Sequence, residues 1–112
     1  MNSERFLSGH ELGWESVGER LERQILGYDE VIMMVRVRFV PGAIGARHHH
    51  PHRQVTYVES GRFEVEISGE KRTLEAGDGF IVPPNAEHGV VALESGSLID
   101  VFTPSREDFL QS

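Results

Sequence analysis

Residues 62–68 alternate without a break: Phe63, Val65 and Ile67 are apolar, while Arg62, Glu64, Glu66 and Ser68 are polar. A period of two is the mark of a strand with one buried face and one wet face. The same signal recurs along the chain. Val35, Val37 and Phe39 alternate with Met34, Arg36 and Arg38 until Pro41-Gly42 ends the run. Further strands are expected at 54–59, 71–74, 80–82, 88–93 and 98–103. The punctuation between them is Ser60-Gly61, Ser68-Gly69-Glu70, Ala76-Gly77-Asp78 and Pro83-Pro84-Asn85. Short strands at such spacing, with turn residues between them, predict an all-β sandwich or barrel. The 112 residues make one domain. The first twenty residues carry Phe6, Leu7, Leu12, Trp14 and Val17 with no sustained period, which predicts extended or irregular structure over one end. The reading is therefore a single domain over 1–112, with a core at about 31–103 and a covering or dimerisation segment at 1–30. Pro104 to Leu110 is expected to form a last short helix with Pro104 near its start.

The formal charge of −7 argues against non-specific nucleic-acid binding, which needs a basic patch to displace counterions. With no cysteine, neither a disulfide framework nor a thiolate metal site can form. The longest apolar run, Val31 to Val35, falls far short of the roughly 20 residues of a membrane span. No secretory pattern opens the sequence, so a cytoplasmic location is expected.

Four of the six histidines fall at 48–52. On a strand, His48 and His50 would share a face and point into one interior. Gln54, past Pro51, could return to the same pocket, and His88 could enter from the far side. Three imidazoles and an amide oxygen suit one divalent ion: Zn, Ni, Fe or Mn. A surface histidine tract that binds metal adventitiously, with His88 a hydrogen-bonded structural residue, is the competing reading of these residues alone.

The wider spacing bears on that choice. Gly42 is followed after five residues by His48, after one by His50, after three by Gln54 and after six by Gly61. Gly77 is followed after five residues by Pro83, with His88 five positions on. These spacings resemble the two motifs of the cupin superfamily, with Gln54 where many members have Glu. The resemblance implies a cupin fold, a double-stranded β-helix or jelly-roll barrel. Two positions depart from the pattern: Asn85 stands where Gly is common, and Ala92 where Asn is common. Asn still permits the turn, because it tolerates left-handed backbone. All four ligating groups are neutral, so a bound ion would keep its full charge and attract a carboxylate despite the acidic chain. Arg106 could add to that field, as could Arg47 and Arg53, whose plainer reading is surface solvation.

In Leu98 to Phe102, positions 100 and 102 share one face and Ile99 and Val101 the other. Asp100 and Phe102 are expected to face the cavity. A carboxylate there must be paired or working. It could pair with Arg106, orient a ligating histidine or act in catalysis. Phe102 could wall a ligand or simply fill the core.

From His48 to Leu110, and above all in Asp100-Val101-Phe102-Thr103-Pro104-Ser105-Arg106-Glu107-Asp108-Phe109-Leu110, the sequence resembles the small single-domain cupins known as pectin degradation proteins. That resemblance implies redox-neutral conversion of 4,5-unsaturated uronates to linear 5-keto-4-deoxyuronate. It also implies metal ligands at His48, His50, Gln54 and His88 and catalytic positions at Asp100, Phe102 and Arg106. The expected partner is a small anionic sugar, with a homodimer formed through edge strands. An Fe-dependent cupin dioxygenase, a non-enzymatic sugar sensor and a storage-type structural cupin are the rival readings.

Overall fold

A computed structural model describes residues 1–110 of the chain. Among them are ten strands, which form two antiparallel sheets, and one short helix. The strands are β1 (Glu15–Gly18), β2 (Leu21–Tyr28), β3 (Met33–Phe39), β4 (Ile44–His48) and β5 (Arg53–Ser60), then β6 (Arg62–Ile67), β7 (Glu70–Glu75), β8 (Gly79–Val82), β9 (His88–Ala92) and β10 (Gly96–Thr103). The helix is α1 (Glu107–Leu110). One sheet runs β1-β2-β3-β10-β5-β8 and the other β4-β9-β6-β7. The fold class agrees with the sequence reading, as do β3 and β5 to β10.

The inward positions of both sheets meet in a core of Phe39, Ala43, Val58, Phe63, Val65, Ala92 and Leu98. Phe39 and Phe63 pack edge to face at 5.0 Å, the geometry their ring quadrupoles favour. A second cluster, Met33, Val35 and Phe102, closes the barrel nearer the C-terminus. Between the clusters the barrel stays open as a cavity of about 330 Å³. Gly61 turns β5 into β6 at φ +84°, and a side chain there would strike the Ser95 carbonyl. Asn85 adopts φ +66°, the left-handed turn its side chain permits.

The structure departs from the sequence expectations in three places. The chain has two strands before residue 31, and β2 pairs with β3 along its whole length. Its alternation is hidden because both faces are covered. Leu21, Arg23 and Ile25 pair with inward positions of β3, while Gln24 on the opposite face is fully buried under the N-terminal segment, donating to the Gly9 and Leu12 carbonyls. A bulge between Ile25 and Gly27 then shifts the period. Second, β4 ends at His48, so His50 lies beyond it in the connection to β5. Third, the helix starts at Glu107 rather than at Pro104. Ser105 is buried and gives its hydroxyl to the Asp29 carbonyl, which holds the chain on a non-helical path until Arg106. No helix among the described residues is long and apolar enough to cross a membrane.

Candidate metal centre and its cavity

Strand register brings the histidines together. His48 on β4 stands directly opposite His88 on β9, with ring centres 4.3 Å apart. His50 reaches the same point from the loop, 4.8 Å from His88 by ring centres. Pro51 restricts His50 to extended backbone, and the Asn85 N–H donates to the His50 carbonyl at 2.7 Å. The coordinating atoms of His48, His50 and His88 all lie within 4.8 Å of one another.

Each imidazole is oriented by its own chain. His48 Nδ1 lies 2.7 Å from the Ala46 carbonyl, His50 Nδ1 3.0 Å from that of His52, and His88 Nδ1 3.0 Å from that of Ala86. A carbonyl only accepts, so each Nδ1 carries the hydrogen and each Nε2 presents a lone pair. Backbone carbonyls commonly fix ligating histidines in this way. Burial lowers the pKa of His50, and it lowers that of His88 to about 4, so both are neutral at physiological pH.

Two contacts test whether these residues fit a cation. His88 Nε2 is buried and has no hydrogen-bond partner among the described residues. An orphaned buried acceptor is costly. The second contact involves Gln54, on the inner face of β5. Its Nε2 donates to Thr56 Oγ1 at 3.0 Å and lies 3.4 Å from Asp100 Oδ1, while the Thr56 hydroxyl donates to Asp100 at 2.6 Å. That chain fixes the amide, and its oxygen faces His50 Nε2 at 3.0 Å. Two acceptors then confront each other, and the lowered pKa of His50 disfavours a proton between them. A cation shared by Gln54 Oε1 and the three Nε2 lone pairs satisfies both contacts, so the donor set fits a divalent ion.

Asp100 and Phe102 both line the cavity from β10, as their alternation predicts. Burial is the main cause that raises the Asp100 pKa, to about 6, with the Thr56 hydroxyl, Arg106 and Gln54 opposing it. Phe102 and His50 pack edge to face, with centres 5.7 Å apart. Asp100 does not ion-pair with Arg106 among the described residues. Arg106 instead forks onto Asp108 at 3.0 and 2.8 Å, and its guanidinium lies over Phe109 at 4.2 Å and near Phe102 at 5.1 Å. Arg47 pairs with Glu66, and Arg53 is exposed; neither lines the cavity. Sequence reasoning missed Thr56, Arg23 and Phe109. Thr56 was within reach, since it follows Gln54 by two on the same face of one strand. Arg23 carries no such local signal.

The comparisons agree with this architecture. The cupin domain family model matches residues 35–102. The pectin degradation protein KdgF of Dickeya dadantii (strain 3937) is 48% identical over 108 residues, which span 95% of this chain and 98% of that protein. An RmlC-like cupin from Shewanella frigidimarina NCIMB 400 superposes with a TM-score of 0.94 at 45% identity, covering 96% of this chain and 97% of that one. The structure of KdgF from Halomonas sp. superposes with a TM-score of 0.90 at 44% identity, covering 96% and 99%. With two sheets closed around three converging imidazoles and kinship along nearly its full length, the chain belongs to the cupin domain family, as a relative of the KdgF pectin degradation proteins.

Proposed function

We propose that this protein acts in pectin breakdown by converting 4,5-unsaturated uronates to linear 5-keto-4-deoxyuronate, a redox-neutral ring opening and tautomerisation. The observation that carries the reading is the contact chain from His50 through Gln54 and Thr56 to Asp100, which sets one titratable carboxyl beside a cation-fitting centre. The name shared by the Dickeya and Halomonas relatives supports the substrate class.

One divalent ion, held by His48, His50, Gln54 and His88, would supply a Lewis acid that anchors the substrate and steadies negative charge on its enol oxygen. The chain's own groups do the rest. Asp100, ionised, takes the proton from the anomeric hydroxyl. The aldehyde forms at C1, the C1–O5 bond breaks, and its electron pair leaves on O5 as an enolate. Asp100 then returns the same proton to C4, giving the 5-keto product with no net loss of protons or electrons. A pKa of about 6 lies close enough to neutrality for both halves of that exchange. The Thr56 hydroxyl and Gln54 amide hold the carboxyl oriented through the cycle. Arg106 would exchange its exposed partner Asp108 for the substrate carboxylate, matching it with a planar fork. Phe102 walls the sugar ring and limits water.

The test follows the conjugated C4=C5 chromophore of unsaturated galacturonate with and without protein, after chelation, and after divalent metal is restored. Acceleration that chelation abolishes and metal restores is expected. No acceleration by folded, metal-loaded protein refutes the assignment.

A further inference from the structure

A second cation reaches the cavity and has no part in the reaction above. Arg23 sits on the inward face of β2, opposite Val37, and lines the cavity. Its guanidinium carbon lies 3.8 Å from the centre of the Phe109 ring, and that of Arg106 lies 4.2 Å from the same centre, so the two cannot be more than about 8 Å apart. Both side chains are largely buried, at 19% exposure for Arg23 and 12% for Arg106. Each is neutralised by a carboxylate that is far more exposed: Glu15 on the edge strand β1, at 51%, and Asp108 on α1, at 57%. Glu15 is the direct cross-strand neighbour of Arg23 and accepts from its Nε at 2.6 Å. Val17, two residues along β1, lines the same cavity.

The asymmetry matters. A buried guanidinium is held in place by packing on Phe109, whereas an exposed carboxylate can rotate into water at little cost. An anion arriving from solvent can therefore replace Glu15 on Arg23 without moving the cation. We propose that Arg23 is a substrate-capture residue: with Arg106 it forms a two-guanidinium mouth for the carboxylate of a monoanionic uronate, and Glu15 is a competing internal anion that occupies Arg23 until the sugar arrives. This rests on the uronate reading of the same cavity and adds the recognition step to it. Arg23 acts in binding and not in proton transfer, since Asp100 has its own partners in Thr56 and Gln54.

The assignment makes Glu15 and Arg23 work in opposite directions on binding, although they form one ion pair. The experiment measures KM and kcat on unsaturated galacturonate, together with calorimetric binding of saturated galacturonate and neutral galactose, all on the same metal-loaded protein. Arg23→Gln is expected to raise KM and weaken galacturonate binding about tenfold with kcat within about twofold. Glu15→Gln is expected to lower KM about two- to threefold, and Arg23→Lys to keep part of the affinity. The double variant should match Arg23→Gln alone, because Glu15 acts only through Arg23. Galactose binding should be unaffected throughout. If the pair is merely structural, both single variants shift binding the same way, or neither shifts it, and the capture role is overturned while the ring-opening reading stands. Opposing shifts in galacturonate binding by the two variants, with no turnover of the unsaturated sugar by the wild type, overturn the reaction and keep the capture site. Wild-type protein that neither turns over the sugar nor binds galacturonate overturns both.

Discussion

Replacing Gln54 by Glu tests the electrostatic logic of the site most directly. Gln54 Nε2 lies 3.4 Å from Asp100 Oδ1, so the variant would set a second carboxylate oxygen about where the nitrogen stood. Two unit charges at 3.4 Å repel by about 5 kcal/mol at an effective dielectric of about 20, and by half that if cavity water doubles the dielectric. A penalty of about 2–5 kcal/mol is therefore expected in metal-free protein when both groups are ionised. In the folded variant the two carboxylates escape it by keeping one proton, as carboxylates sharing a site do. Asp100 already titrates near 6 in the native chain, against about 4 when unfolded, and the new charge raises the pair's upper value further. Through that window the native state binds more protons than the unfolded state, so stability falls as pH rises. The assay is thermal unfolding of chelator-treated wild type and Gln54→Glu at about pH 5 and about pH 8. With one proton kept, the variant's extra cost at about pH 8 is limited to about 2–3 kcal/mol, so at roughly 4 °C per kcal/mol for a domain of this size its Tm deficit should grow by about 10 °C between the two. The lost amide hydrogen bond to Thr56 contributes at both pH values and cancels in the comparison. An equal deficit at both would refute the placement of the Gln54 amide against Asp100.

Three further outcomes follow from the same geometry. His88→Ala should abolish stoichiometric metal binding, read by elemental analysis after dialysis, and with it any metal-dependent rise in Tm; full metal retention would remove His88 from the ligand set. Asp100→Asn should keep metal and fold while turnover drops by about 10²–10⁴, and in metal-free protein it should be up to about 3 kcal/mol more stable than wild type at about pH 8, a gain that vanishes below about pH 4 because the native pKa is raised above the unfolded one. Asn85→Val should cost about 1–2 kcal/mol at its left-handed φ and weaken metal binding through His50, whereas Asn85→Gly should cost little in stability; equal effects of the two would refute a backbone cause.

Legibility in the sequence tracked how each segment is covered. Strand β6 was readable because one face is buried and the other wet, so its composition alternates. Strand β2 was not, because the N-terminal segment seals its outer face over Gln24 and a bulge breaks its period. The convergence of His48, His50 and His88 was anticipated from spacing and the cupin resemblance, yet the reason these residues fit a cation was not. That reason is the directional chain Asp100–Thr56–Gln54, which turns an amide oxygen onto a histidine lone pair. It exists only once β10 and β5 pair in the register that sets Asp100 against Thr56. Arg23 could not be read this way. A lone arginine in an aperiodic stretch reads as a solvated charge. Only the pairing with Val37 across β2 and β3 turns it inward, and only the C-terminal helix supplies the ring that holds it there. Local pattern thus identifies groups whose direction is set by their own strand. Groups whose direction is set by a neighbouring strand or a distant helix need the fold first, and in this barrel that divides the candidate chemical centre, which could be read early, from Arg23 and the capture role proposed for it.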